Sequence, residues 1–100
     1  MNLEKFGKRA YTSALKRGKI TDTKDIPTMN KEMCQGVGDE FAELAKASEL
    51  LHGDHLPQYT EVVEELTDVA IASITELYRR GVDVEKVFHE KMKYNEERTS

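Results

Sequence analysis

Residues 61–78 read EVVEELTDVAIASITELY, and apolar side chains recur along this stretch every three or four residues. Since an α-helix turns by about 100° per residue, this repeat places them on one helical face. The residues expected to form this buried face are Val62, Val63, Leu66, Val69, Ala70, Ile74 and Leu77. The neighbouring stripe carries the acidic residues Glu61, Glu65 and Asp68. Like charges at this spacing destabilise an isolated helix, so we expect the acidic stripe to face protein groups or a metal ion as well as water.

An earlier segment repeats this combination of a core-facing stripe and an acidic pair. Its expected core-facing stripe consists of Met33, Val37, Phe41, Leu44, Ser48 and Leu51. Glu40 falls within this stripe and Glu43 lies at its edge. A carboxylate that faces a protein core loses its hydration, so it has to be paired, neutralised or bound to a metal.

Together the two acidic pairs can surround one divalent cation, because carboxylate oxygens are the ligands that hard cations prefer. The predicted metal ligands, which are also the predicted catalytic residues, are Glu40, Glu43, Glu65 and Asp68. The chain contains 19 acidic residues in 100. The alternative interpretation is therefore that both pairs belong to solvated acidic faces.

The helical pattern covers most of the chain and divides it into segments with short connections. The expected helices cover residues 2–18, 29–52, 57–80 and 84–97. The residues that support these limits are Gly18, Gly53 and Gly81 at helix ends, Pro57 in a first turn and Asp83 as an N-cap. Because Gly36 and Gly38 weaken the second helix, we expect it either to begin late or to lie close against another backbone.

The sequence thus predicts an all-α fold, a single four-helix-bundle-like domain spanning residues 1–100. Several of its helices carry apolar residues on more than one side, so we expect self-association to complete the bundle. Tyr78, Ile71 and Leu50 are the residues expected at the contact between chains.

The last helical segment ends in polar residues on its apolar face. Val84, Val87, Phe88, Lys91, Asn95 and Arg98 share this face. Lysine and arginine provide positively charged donors for phosphate oxygens, and asparagine provides an amide for a phosphate or a sugar hydroxyl. The alternative is that the terminal turn simply leaves the core, with the Lys91 side chain reaching out to water.

Three motifs, in order, resemble the signature of the MazG-like superfamily of all-α nucleoside triphosphate pyrophosphohydrolases. That signature reads ExxE, then ExxD, then K-x3-N-x2-R. The matching stretches here are Glu40-Phe-Ala-Glu43, Glu65-Leu-Thr-Asp68 and Lys91-Met-Lys-Tyr-Asn95-Glu-Glu-Arg98. The resemblance covers roughly residues 30–98.

This resemblance implies a Mg²⁺-dependent enzyme, with Mn²⁺ as a substitute, that cleaves a (deoxy)nucleoside triphosphate into a monophosphate and pyrophosphate. Such an activity serves the housecleaning of nucleotide pools. The two acidic pairs would bind the metal, and Lys91, Asn95 and Arg98 would contact the phosphates or the sugar of the substrate. The resemblance also implies a homodimer or homotetramer with its sites near subunit contacts.

Two alternatives remain open. The stretches Tyr11–Leu15 and Gly36–Glu40 also resemble phosphoribosyl-ATP pyrophosphohydrolase of the same superfamily, although Asp39 and Gly36 depart from its pattern. The C-terminal motif favours the MazG-like interpretation. The other alternative is a non-enzymatic helical module for oligomerisation or interaction, whose acidic stripes are merely solvated.

Composition limits the remaining possibilities. The chain has 38% hydrophobic residues, a formal net charge of −4 and a single cysteine, Cys34, which excludes an intrachain disulfide. No apolar run approaches the ~18 residues of a membrane span, and residues 1–12 lack the apolar centre of a signal peptide. We therefore expect a cytoplasmic protein without a membrane partner.

Charge is distributed unevenly, with basic residues concentrated up to Lys24 and acidic residues between positions 25 and 78. The acidic block repels nucleic acid, so no nucleic-acid partner is expected. The basic N-terminal part can steer a polyphosphate toward a metal site, or it can be a solvated helix face. Phe6, Tyr11 and residues 19–28 are candidate contacts for a nucleotide base, whose identity the sequence leaves open. The alternative for the two aromatic residues is a place in the core, which is the more common role of aromatics at helical spacing.

Overall fold

The computed structural model describes residues 1–98. Thr99 and Ser100, the last two residues of the predicted domain, lie outside the described residues. Residues 1–98 form four α-helices and no β-strand, which confirms the all-α prediction. The helices are α1 (Leu3–Lys16), α2 (Ile26–Lys46), α3 (Glu61–Arg79) and α4 (Val84–Glu97).

Side chains at the helix ends explain where these helices begin and stop. At each start a polar side chain accepts a hydrogen bond from a backbone N–H in the first turn; these N-caps are Asn2, Asp25, Thr60 and Asp83. Gly18 and Gly81 follow α1 and α3 with φ angles of 71° and 77°, a left-handed conformation that glycine adopts without strain. The predictions for Gly18, Gly81 and Asp83 are confirmed.

Two of the predicted helices have wrong limits. The second helix begins at Ile26, because Asp25 caps it and Pro27 fits its first turn, and it ends at Lys46. It therefore does not begin late, and an added Cβ at Gly36 or Gly38 would meet no atom within 4 Å. The third helix begins at Glu61, so residues 47–60 form a connection that contains the predicted helix-end glycine, Gly53, and also Pro57.

The connection of residues 47–60 folds onto the first turn of α3 through the buried carboxylate of Glu64. This carboxylate accepts hydrogen bonds from the backbone N–H groups of His55 (3.2 Å) and Leu56 (3.1 Å), and the His55 Nδ1 atom lies 3.0 Å from it. A Cβ atom added at Gly53 would lie 1.9 Å from a Glu64 oxygen. Gly53 is therefore needed for a close approach of the chain, and no helix ends there.

Helix α3 lies between α1 and α2, and it packs against both, whereas these two helices do not pack on each other within residues 1–98. Two sides of α3 are thus covered and a third is open. The predicted buried face of α3 is partly wrong for this reason: Val63 and Leu66 are 43% and 54% exposed, while Thr75 and Arg79 are buried. Phe41 on α2 is likewise 62% exposed.

A buried group of charges joins α2, α3 and the connection between α1 and α2. The side chain of Arg79 has no exposed surface, and it pairs with Glu32 and Glu76. Its guanidinium also donates to the backbone oxygen of Thr21 at 3.1 Å. The Lys24 Nζ atom donates to the backbone oxygen of Arg79 at 2.7 Å, so the α1–α2 connection is fixed to the end of α3.

Removal of the Arg79 side chain should destabilise the fold strongly. Arg79→Ala leaves Glu32 and Glu76 without their buried partner, a loss typically worth about 3–5 kcal/mol. The hydrogen bond from the Arg79 guanidinium lowers the pKa of Glu32 below its ordinary value of 4.5. The stability that Glu32 contributes is therefore present above pH 4.5 and is lost as the pH falls through its lowered folded-state pKa.

Urea unfolding from pH 3 to pH 7 measures both effects. The free energy of unfolding should fall less steeply below pH 4.5 in Glu32→Gln than in the wild type. Glu90→Gln is the matched control, since Glu90 is exposed and lies 3.9 Å from Lys86. Equal acid sensitivity of Glu32→Gln and the control would contradict the assignment.

Candidate metal centre

Helices α2 and α3 bring three of the predicted metal ligands together. One carboxylate oxygen from each of Glu40, Glu65 and Asp68 lies within 4.8 Å of the others, and all three residues are half-buried. We call these three residues the acidic cluster. Two oxygens bound to one Mg²⁺ at about 2.1 Å are at most about 4.2 Å apart, so small side-chain movements are enough to bind it. The donor set, three carboxylates, fits a hard divalent cation.

The electrostatics of the acidic cluster favour the binding of positive charge. Burial raises the pKa of Glu40, and the nearby Asp68 carboxylate raises it further. Burial is also the largest cause of the raised pKa of Glu65, followed by the charges of Asp68 and Glu40. Burial also raises the pKa of Asp68, with a further contribution from Glu64. Within residues 1–98 these acids lack the internal donors that satisfy Glu64 and Glu32, and a cation would supply the missing partner.

The fourth predicted ligand, Glu43, lies beside the acidic cluster but outside it. Its side chain is 60% exposed and lies 3.8 Å from the Lys46 Nζ atom. Its charge nevertheless contributes to raising the pKa of both Glu40 and Glu65. Glu43 is therefore close enough to act on a ligand of the cluster, and its role as a metal ligand stays a prediction.

The C-terminal motif is not brought to the acidic cluster within a single chain. Lys91, Asn95 and Arg98 are exposed, and α4 packs against α1 and α3 without contacting α2 in the described part of the chain. The Lys91 Nζ atom lies 4.7 Å from the centre of the Tyr94 ring. The role of these three residues in substrate binding stays a prediction.

Two basic residues at the end of α1 lie close enough to the acidic cluster to act on it electrostatically. Arg17 lowers the pKa of both Glu40 and Asp68, and Lys19 lowers that of Glu40. Sequence analysis recognised the basic N-terminal part only as a whole. The available signal was the sequence Lys16-Arg17-Gly18-Lys19, which puts positive charge at the end of a helix.

Comparison of the chain with protein-family models, with curated proteins and with solved structures found no match. Among the helices of residues 1–98, none combines the length and the apolar character required to cross a bilayer.

Neutralising one member of the acidic cluster should stabilise the metal-free protein. A carboxyl whose pKa is raised on folding favours the folded state while protonated, and this contribution is lost as the pH rises and the group ionises. At pH 7, Glu65→Gln should therefore raise the Tm without metal by a few °C, about what a small relief of repulsion produces in a 100-residue domain. It should also abolish any rise of Tm in millimolar MgCl₂, which requires metal binding to the folded state.

Thermal unfolding with and without MgCl₂ measures both changes, and Glu49→Gln, an exposed glutamate in the α2–α3 connection, is the control. The control should match the wild type in both conditions. A wild-type Tm that does not respond to Mg²⁺ or Mn²⁺ would count against the metal site.

Proposed function

We propose that this protein is a Mg²⁺-dependent nucleoside triphosphate pyrophosphohydrolase of the MazG-like type, which cleaves a (deoxy)nucleoside triphosphate into a monophosphate and pyrophosphate. The observation that supports this proposal is the acidic cluster, because Glu40, Glu65 and Asp68 come from the two motifs in which the resemblance implies metal ligands. A cytoplasmic location and a role in nucleotide-pool housecleaning are parts of the same proposal.

In this proposal the acidic cluster holds the metal, and other residues of the chain act on the substrate. When bound, Mg²⁺ supplies charge neutralisation for the phosphate oxygens. Arg17 and Lys19, which already act electrostatically on the cluster, offset the remaining negative charge of the triphosphate. Their electrostatic effect on Glu40 and Asp68 supports this role, whereas α4, which carries the C-terminal motif, does not contact α2 within one chain.

Glu43 is the residue we assign as general base. It is exposed, it lies next to the cluster, and its interaction with Lys46 at 3.8 Å is long. A water molecule gives one proton to the Glu43 carboxylate. At the same time the water oxygen bonds to the α- or the β-phosphorus of the substrate. The bond between the α- and β-phosphates breaks, and its electron pair leaves with the departing phosphate group.

We further propose that two or four copies of the chain associate through the open side of α2 and α3. Phe41 and Leu66 are 62% and 54% exposed there, and Leu50 in the adjoining connection is 91% exposed. The exposure of these apolar side chains to water is unfavourable, so an oligomer that covers them is stabilised. The radius of gyration, 14.9 Å, exceeds the about 13 Å typical of a 100-residue domain, as expected for a loosely packed single chain.

A second copy also gives the C-terminal motif a place in the proposed mechanism. Since Lys91, Asn95 and Arg98 are exposed on a helix that does not contact α2, they can meet the acidic cluster of a partner chain. Of the contact residues expected from the sequence, Leu50 is exposed, whereas Tyr78 packs in the same chain against Gly7 and Tyr11. The same exposed apolar side favours the second candidate function, a non-enzymatic interaction module.

Hydrolysis assays separate these functions. The substrates are the common ribo- and deoxyribonucleoside triphosphates and phosphoribosyl-ATP, each with MgCl₂ and with product identification. Asp68→Asn and Glu65→Gln should lower kcat by about 100-fold or more, because each removes a charge that the transition state needs. Glu49→Gln should keep wild-type turnover.

The other outcomes of these assays contradict the proposed site or assign the protein to another function. Unchanged turnover in the cluster variants contradicts the site. Turnover of phosphoribosyl-ATP alone assigns the protein to the related reaction, and orthophosphate as the first product rules out α,β cleavage. An interaction module hydrolyses none of these compounds.

Oligomer formation should be sensitive to charge on the open side of α2 and α3. In light scattering coupled to size-exclusion chromatography, Phe41→Asp with Leu66→Asp should reduce the molar mass to the 11.4 kDa of one chain. Ile26→Asp, at a residue that is 65% exposed at the start of α2, is the control and should leave the oligomer intact. A wild-type mass of one chain at micromolar concentration would contradict the proposal.

A further inference from the structure

Helix α1 covers only part of the α3 face on which it packs. Gly7 lies against Tyr78, where an added Cβ would be 3.3 Å from the tyrosine side chain. The backbone N–H of Leu3 donates to Glu85 at the start of α4, so α1 begins beyond the end of α3 and runs back along it. Ten residues from Gly7 to Arg17, and ten from Tyr78 to Asp68, each span about 15 Å. Helix α1 therefore ends level with Asp68.

Beyond the end of α1, this face of α3 borders an open cavity of about 440 Å³. Its walls are Leu56 and Tyr59 from the connection, and Val63, Thr67, Asp68 and Ile71 from α3. The volume is in the range of about 300–1,000 Å³ that is typical of sites for small organic ligands. Asp68 belongs both to this wall and to the acidic cluster, so the cavity and the candidate metal centre are adjacent.

The chemistry of the walls selects an uncharged, flat and largely apolar group. Tyr59 is 49% exposed and presents an aromatic ring, and the aliphatic side chains of Leu56 and Val63 are 45% and 43% exposed. The Thr67 hydroxyl donates to the backbone oxygen of Val63 at 2.7 Å. The Glu64 carboxylate already accepts hydrogen bonds from the connection. An anionic group is disfavoured, because the carboxylates of Glu64 and Asp68 are at the same wall.

We propose that this cavity binds the purine or pyrimidine ring of the substrate, stacked on Tyr59, while the phosphates of the same molecule lie at the acidic cluster. This inference rests on the proposed function. It replaces the candidate base contact of Tyr11. The centre of the Tyr11 ring lies 5.6 Å from that of Tyr78, and Tyr78 lies about 15 Å along α3 from Asp68. The surface proposed for association adjoins this cavity, since Leu66 lies about 60° around the helix from Val63 and about 100° from Thr67.

Two variants test the cavity, one by removing part of its wall and the other by filling it. Tyr59→Ala removes the stacking surface, and Thr67→Trp, at an exposed position, fills the space. Each should raise the KM for the best nucleoside triphosphate by about tenfold or more, as expected from the loss of base stacking. Neither should change the KM for inorganic tripolyphosphate, which has no base, nor the rise of Tm in MgCl₂. Phe88→Ala, at a 39% exposed aromatic residue of α4, is the matched control and should behave as the wild type.

An unchanged nucleotide KM in both cavity variants overturns the inference, and so does an equal rise in KM for tripolyphosphate. If the wild type hydrolyses no nucleotide, the proposed function fails, and isothermal titration calorimetry of the same triphosphates with MgCl₂ still tests the cavity. Binding that Tyr59→Ala weakens and Phe88→Ala does not weaken supports the cavity without the enzymatic activity. Absence of nucleotide binding overturns both proposals.

Discussion

The buried guanidinium of Arg79 is the interaction on which the arrangement of α2 and α3 depends. Its side chain has no exposed surface, and Glu32 of α2 and Glu76 of α3 compensate its buried positive charge. This pairing fixes the start of α2 against the end of α3. From there Glu40 lies eight residues along α2, about 12 Å, and Asp68 lies eleven residues back along α3, about 17 Å. The two helices thereby bring their acids to one place.

Acidic residues occur here in two kinds of environment, which differ in the hydrogen-bond donors that surround the carboxylates. Glu32 and Glu64 are surrounded by donors, and hydrogen bonds lower the pKa of each: from Arg79 for Glu32 and chiefly from the backbone of Leu56 for Glu64. In the described part of the chain the acidic cluster has no such donors, and burial with mutual repulsion raises the pKa of its members. A fold that keeps repelling carboxylates together gives up stability, a common feature of sites that bind a ligand.

Local signals made much of the fold predictable from the sequence. Gly18, Gly81 and Asp83 act on their own helix ends, and the structure agrees with the prediction at each. Periodicity also placed Glu40 on a partly buried stripe, because helical spacing is a property of the segment itself. It could not tell which apolar face a neighbouring helix covers, and Phe41 and Leu66 are exposed for that reason.

The contacts that sequence reasoning missed join residues distant in the chain. Nothing near Glu64 indicates that its carboxylate accepts from a connection eight and nine residues earlier, and the predicted helix limits failed at that connection. The cavity beside Asp68 has the same origin, since it depends on where α1 happens to end.

The contact between Gly53 and Glu64 makes the residues that evolution can accept at one position depend on the residue at the other. Any side chain at position 53 collides with the Glu64 carboxylate, 1.9 Å from an added Cβ. A shorter side chain at position 64 would make room, but it would leave two backbone N–H groups of the connection without an acceptor. A substitution at either position alone therefore destabilises the fold. Among descendants of this sequence, glycine at 53 and glutamate at 64 should therefore be inherited together or replaced together.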